Sequence, residues 1–366
     1  MMKFRAMIDS DWKQFAFFAE NNFVSSHPVN RTFMDFWFRK SDGSWSIQLG
    51  FRDDGSISAV NMMIDVPGRF IDHKTPLTWM STSLAESDAQ AHGLGGQMLF
   101  HSHRILPFIC CTCANQNSLP INDSLGLAFP ELRIRRFVYM LTPKCLQIVQ
   151  DNCQMQVETL FTENQFIDPH DNSIKKTWVE EIPHDFNELW VAFSKDLNCV
   201  VERDLGYMQR RYLEAPYQQY HILEVRSDDH ELRGLTIVRF QATSFGTCAR
   251  IVDFIATPDS EFDVWCHTLH SCNEKEALYA DFFVMGTGQD KNLLETGFIL
   301  ETDDNCIASI PNLLSPIDYR RWSYTFHVSG NLPHDVDDWM DPKKIWFTKG
   351  DGDRDWPTAQ TILSKC

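Results

Sequence analysis

Stretches that alternate apolar and polar positions trade places along this chain with stretches whose apolar positions recur at helical spacing. "KFRAMI" alternates and predicts a strand, and "DSDWKQFAFFAENNF" predicts a helix with Asp9 or Ser10 placed to cap its start. "NRTFMDFWFRK" spaces its aromatics for a second helix. "WSIQLGF" and "SISAVNMMIDV" flank the turn residues "RDDG" and predict a hairpin. "LTWMSTSLA" predicts another strand, "GGQMLFHSHRIL" a helix and "FICCTCA" a buried strand. "SLPINDSLG" and "IRRFVYML" predict a short helix and a closing strand.

Residues 142–183 show weak periodicity and read as a bridging segment, after which the order begins again. "DFNELWVAFSKDL" and "LGYMQRRYL" are helical, and "QYHILEVRS", "LRGLTIVRFQA" and "TCARIVDFIAT" read as strands. An amphipathic helix, "EFDVWCHTLHSCNEKEA", precedes the buried strand "LYADFFVMG", and "KNLLETGFIL" is a short helix entering a strand. The architecture is thus roughly duplicated, without a short-period repeat. The segment "WFTKGDGDRDWPTAQ" reads as a polar, turn-rich tail.

Composition narrows the possibilities. A chain of 366 residues has room for two domains. The formal net charge of −17 argues against a nucleic-acid surface, because phosphate neutralisation drives such binding. No apolar stretch approaches the ~20 residues that span a bilayer, and "MMKFRAMIDSDW" lacks an export signal, so no membrane partner is expected. Eleven scattered cysteines suggest reduced thiols and a cytoplasmic location. Cys110 and Cys113 stand alone as a C-x-x-C pair, and "DGDRD" at 351–355 lacks the rest of a calcium loop, so no metal is expected.

The chemistry concentrates in "QAHGLGGQML", where three glycines in four positions open a helix directly after a strand. Glycine allows close backbone approach, and a helix start can hold a phosphate. No G-K-S/T follows, and the third glycine of a dinucleotide fingerprint is missing. Gln90-Ala91-His92-Gly93-Leu94-Gly95-Gly96 does match Q/R-x-x-G-x-G/A, the pyrophosphate-binding motif of the GNAT acyltransferases. "CANQNSLPINDSLGL" resembles the later stretch of that family, with Asn115 ending a strand, Gly126 in the glycine of Gly-Phe, and Leu127 in the Phe slot. The resemblance covers about residues 3 to 141 in element order.

The second half repeats the order, including Gly297-Phe298, but carries "PDSEFDVW" where the glycine motif would fall. The resemblance therefore implies an α/β chain of two GNAT-like lobes in tandem, each a mixed, mostly antiparallel sheet flanked by helices. It divides into a lobe at 1–141 with the acyl-CoA site, a bridge at 142–183, a degenerate lobe at 184–330 and the polar tail at 331–366. Acetyl-CoA or another acyl-CoA would be the cosubstrate, in a monomer or homodimer.

The resemblance also implies site roles. Amides near Leu84 and Ala85 would polarise the thioester carbonyl, those of residues 91–96 with Gln90 would hold the pyrophosphate, and Asn115 would bond the pantetheine arm. The family's usual tyrosine acid is replaced by Asn122, which cannot give up a proton. Three residues are candidate bases: His27 in "SSHPVN", whose unperturbed pKa suits proton transfer near neutrality, Glu86 just past the strand, and Asp253 inside an apolar strand. "RDLGYMQRRYLEAPYQQYHILEV" resembles a segment of tandem-GNAT proteins of bacterial surface-polysaccharide (O-antigen and capsule) pathways. That implies an acceptor amine on a nucleotide-linked deoxy amino sugar, with Arg210, Arg211, Arg320 or Arg321 on its diphosphate. A FemABX-like aminoacyl transferase and a non-catalytic acyl-CoA-binding protein are the alternatives.

Overall fold

A computed structural model describes residues 3–23, 29–88, 93–106, 108–112, 120–121, 128–145, 166–171, 173–242, 246–302, 313–314, 317–318, 325–330, 341–352 and 355–357. The chain forms two compact units, and neither is contiguous in sequence. The first comprises Met1–Arg133, Trp322–Trp339 and Trp356–Cys366; the second comprises Ile134–Arg321 and Met340–Asp355.

The strands of the first unit are β1 (Lys3–Ala6), β2 (Ile47–Phe51), β3 (Ile57–Phe70), β4 (His73–Ala85), β5 (Phe108–Thr112), β6 (Ala128–Arg133) and the late strand β17 (Thr325–Gly330). They pair in the order β1-β2-β3-β4-β5-β17-β6, antiparallel except for β4 with β5. The predicted hairpin is β2–β3, with Phe51 opposite Ile57 across the "RDDG" turn. Its helices are α1 (Trp12–Asn22), α2 (Arg31–Phe38) and α3 (Leu94–Ile105). Asn30 caps α2 through its side-chain oxygen, which accepts from the amides of Thr32 and Phe33.

Neither Asp9 nor Ser10 caps α1. The stretch Asp9–Asp11 forms a 3-10 turn ahead of the helix. The Asp9 carboxylate is drawn instead to Arg39 at 2.5 Å and the Trp45 indole at 2.9 Å, so a tertiary contact outcompetes the local cap. Arg31 lies over both Trp12 and Trp45, and this cluster fixes the entry to α1 and α2.

The second unit contains β7 (Arg135–Met140), β8 (Lys175–Val179), β9 (Cys199–Val201), β10 (His221–Arg226), β11 (Leu232–Ala242), β12 (Thr247–Ala256), β13 (Ala277–Met285), β14 (Ile299–Leu300), the small pair β15 (Leu313–Leu314) and β16 (Ile317–Asp318), and β18 (Ile345–Thr348). The order is β8-β10-β11-β12-β13-β7-β14. Here too one neighbouring pair in that order, β12 with β13, runs parallel. The helices are α4 (Phe186–Ser194), α5 (Leu205–Met208, continuing as a π-helical turn over Gln209–Leu213), α6 (Glu261–Glu274) and α7 (Asp290–Glu295). Trp265 of α6 stacks flat on Phe254 of β12, ring centroids 3.7 Å apart, and anchors the helix to the sheet.

Two features depart from the boundaries read along the sequence. β7 lies in the 1–141 segment yet pairs with β13 of the second unit, whereas β17 lies in the 184–330 segment yet pairs with β5 of the first. Each sheet thus borrows a strand from the other half of the chain. In addition, the expected polar tail is exposed at Asp341, Lys343 and Lys344 but turns inward after them. Ile345, Trp346 and Phe347 are buried, as are Lys349, Asp351 and Asp355.

A buried guanidinium explains how that segment is held. Arg203 donates to Asp253 of β12 at 2.7 Å and to both carboxylate oxygens of Asp351 at 2.7 Å, and also to the Val201 carbonyl. All three charged groups are fully buried, so each depends on the others for its solvation. Replacing Arg203 by Met should therefore strand both carboxylates. Urea unfolding is expected to show a loss of about 3–5 kcal/mol, and a change under about 1 kcal/mol would contradict this account.

Candidate functional site

In the first unit, β4 and β5 pair over Thr78↔Ile109, Trp79↔Cys110 and Met80↔Cys111, and then the ladder stops. β4 runs on through Ser81–Ala85, bonded to β3 on its other side. Among the described residues no strand continues the ladder along that edge of β4. Helix α3 begins a few residues later, at the glycine stretch.

Gly93 is the N-cap of α3 and adopts a left-handed backbone, φ 71°. An L side chain would be strained there. Gly95 and Gly96 are different, because a Cβ built on either would meet no atom within 4 Å. Among the described residues, packing therefore does not require glycine at these two positions. Among the described residues no side chain caps this helix start, and its first turn holds no acid. The first amides of a helix have no intrahelical partners, so they present donors and partial positive charge at that end.

The corresponding place in the second unit has the opposite character. β12 and β13 pair as far as Ile251↔Phe282 and then part. The edge of β13 is taken instead by β18, with Thr348 opposite Val284 and Phe347 opposite Met285. The other edge of β18 pairs with β9. Gly350, just beyond, approaches Tyr212 so closely that a Cβ would run into its hydroxyl. The chain's own segment thus lies along the edge where the strands part.

Helix α6 then opens on Glu261 and Asp263, both buried. Asp263 accepts the His170 backbone amide at 2.5 Å, and Glu261 accepts from the Asn292 amide at 2.6 Å. Burial raises the Glu261 carboxyl to about 7, with the Asn292 bond opposing that rise. A pyrophosphate would meet carboxylates there rather than open amides.

The candidate residues are distributed unevenly. Leu84 and Ala85 end β4 beyond the last rung with β5, and Gly93, Leu94, Gly95 and Gly96 form the start of α3. Glu86 follows the strand; its amide donates to the Ser58 carbonyl and its carboxylate pairs with Arg52, which also binds Asp88 at 2.8 Å. To act as a base it must first leave Arg52. Asp253 has no exposed surface and accepts from Arg203, Tyr212 and Thr348. That arrangement holds the second unit's interior together and leaves Asp253 poorly placed to take a proton from a substrate.

Arg211 is likewise buried, donating to the Gly350 carbonyl at 2.8 Å and the Tyr220 hydroxyl at 2.9 Å. Arg210 beside it is exposed, so the two do not form a clamp on one surface. His27, Gln90, Ala91, His92, Asn115, Asn122, Gly126, Leu127, Arg320 and Arg321 lie outside the described residues. Among the described residues no cluster of His, Cys, Asp and Glu could hold a metal, and no helix is long and apolar enough to cross a membrane.

No family model matches the sequence, and no curated protein does. Solved structures do match. An Enterococcus faecalis protein of unknown function, described as a probable N-acyltransferase, superposes with a TM-score of 0.59 at 9% identity, covering 91% of this chain and 73% of its own. A GCN5-related N-acetyltransferase from Anabaena variabilis gives a TM-score of 0.57 at 11% identity, with coverage of 91% and 73%. Saccharomyces cerevisiae N-myristoyltransferase with bound myristoyl-CoA gives 0.51 at 10% identity, covering 90% and 79%. At such identities the likeness is one of fold. The chain thus shares the fold of these structures, a mixed and mostly antiparallel α/β arrangement, over nearly its whole length.

The buried Glu261 makes a pH test possible. Its folded-state value lies above the ordinary 4.5, so the folded protein binds the extra proton between about pH 4.5 and 7. Stability from this group is full below pH 4.5 and is lost as pH rises through 7. Glu261→Gln should remove that loss and stabilise the protein at pH 8 by up to about 3 kcal/mol. Thermal unfolding of both proteins at pH 5 and pH 8 checks it; parallel pH responses would contradict it.

Proposed function

We propose that this protein is an acyl-CoA-dependent N-acyltransferase with a single acyl-CoA site, in the first unit. The observation that carries the reading is the start of α3, which among the described residues has no acid in its first turn and no side-chain cap, beside the stretch of β4 that runs past its last described rung with β5. It has the form a pyrophosphate with a pantetheine arm requires. The equivalent place in the second unit carries carboxylates and the chain's own β18.

In this reading the pyrophosphate lies on the amides of Gln90 through Gly96, and Asn115 bonds the pantetheine. The thioester carbonyl is polarised by amides near Leu84 and Ala85. The acceptor's neutral amine attacks that carbonyl, forming the C–N bond as the C–S bond breaks. CoA leaves as a thiolate and takes up a proton, while the ammonium proton passes to a base. His27 and Glu86 are the residues proposed for that role, directly or through water.

For the acceptor we propose the amine of a nucleotide-linked deoxy amino sugar, with acetyl as the acyl group. The support is the likeness of residues 203–225 to tandem-GNAT polysaccharide proteins, together with the exposed Arg210. Arg320 and Arg321 complete the proposed diphosphate contacts, and Arg211 is withdrawn from them. A remote diphosphate would hold the amine in line for attack.

Titration calorimetry of acetyl-CoA is expected to give one site per chain, with binding abolished in Gly93→Glu and Gly95→Glu. Two equivalent sites would overturn the single-site reading. Thiol release should be at least tenfold faster with nucleotide-linked amino sugars than with free amino sugars or peptide amines, in line with ~1.4 kcal/mol of remote binding. Equal rates on all three would remove the acceptor assignment while leaving the acyl-CoA site standing.

A further inference from the structure

The interior of the second unit contains an excess of buried donors. Arg250 of β12 has no exposed surface, and none of its three guanidinium nitrogens has a hydrogen-bond partner among the described residues. Lys349 is also buried, and its ammonium nitrogen has no hydrogen-bond partner among the described residues. Both flank Asp281 of β13, at 3.5 Å and 3.6 Å, distances too long for well-formed charged hydrogen bonds. Arg136 of β7 already donates to the same carboxylate at 3.1 Å and to Glu301 at 3.2 Å.

A third buried carboxylate, Asp355, also acts on Lys349 and is paired with Arg239 at 2.6 Å. The cations Arg136, Arg239, Arg250 and Lys349 therefore outnumber the carboxylates Asp281, Glu301 and Asp355 by one. A guanidinium carries five donor hydrogens and an ammonium three, and burying them unpaired is among the costlier things a fold can do. Water would satisfy some donors, but it adds no negative charge. An oxyanion supplies several acceptor oxygens and the missing charge at once. The burial of both cations restricts the guest to a small one.

We propose that the second unit holds a small oxyanion, a phosphate or carboxylate group, bound between Arg250 and Lys349. Its nearest anionic neighbour is Asp281, and the Phe283 ring lies 4.1 Å from the Lys349 nitrogen, closing one side. Burial beside Arg250 lowers the Lys349 ammonium well below its usual range, and a bound anion would favour its protonated form. The site is independent of the acyl-CoA site, and neither requires the other.

The test is thermal unfolding of the full chain with sodium phosphate or acetate against sodium chloride at matched ionic strength. The expected result is a saturable rise in Tm of about 3 °C or more with phosphate, acetate or both, absent in Lys349→Met. That variant leaves the Arg136–Asp281 pair in place, so it is the one to rely on if Arg250→Met fails to fold. No rise beyond that of chloride, or an equal rise in Lys349→Met, overturns the proposal. A nucleoside diphosphate sugar in a parallel arm should give no Lys349-dependent rise, because both cations are buried; such a rise would overturn the proposal of a small free ion. Crystals grown with selenate should show anomalous scattering between Arg250 and Lys349, and water refined there instead would also overturn the proposal.

Discussion

Two parallel strands that part in the middle of a sheet leave backbone donors and acceptors without a ladder, and buried groups of that kind must find partners. Each unit of this protein contains one such pair. In the second unit the edge is satisfied from within, because β18 takes over on β13 where β12 leaves off. Arg203 then ties that segment to β12 through Asp351 and Asp253. In the first unit, Ser81–Ala85 of β4 run past the end of pairing with β5. Among the described residues, the edge is thus closed by the chain's own strand in the second unit, and no strand takes it up in the first.

Electrostatics at the following helix reinforces the difference. A helix start favours negative charge, and that preference can be met by a ligand or by the protein's own acids. α6 meets it with Glu261 and Asp263, at the expense of a carboxyl raised to about 7. Among the described residues, α3 has no acid in its first turn and no side-chain cap. Packing among those residues does not require glycine at 95 and 96, so these positions fit a requirement imposed from outside that packing.

The sequence disclosed the local elements well, because apolar periodicity and turn residues are short-range signals. The β2–β3 hairpin, helix α6 and the glycine-led helix α3 all occur where those signals lie. Strand exchange was invisible for the opposite reason: "IRRFVYML" looks the same whichever sheet it joins. The burial of Lys349 and Asp351 was also missed, since "WFTKGDGDRDWPTAQ" has the composition of a surface turn. One signal was available, namely the lone charges Arg250 and Asp253 inside the apolar "TCARIVDFIAT". A charge in such a strand demands a distant counter-ion; Arg203 pairs with Asp253, and Asp281 lies 3.5 Å from Arg250. The cap assigned to Asp9 failed because Arg39 and Trp45 offered stronger partners than local amides.

Strand exchange also has a consequence for how the molecule comes into being. Phe326 must pair with Thr112, a residue made about 200 positions earlier, before the first sheet gains β17. On the ribosome, β5 therefore waits with an incomplete edge while nearly the whole second half of the chain is synthesised. Such an edge is a template for wrong pairing, including with β17 of a second molecule. Strand β17, supplied last, is therefore also the strand by which two copies could exchange partners.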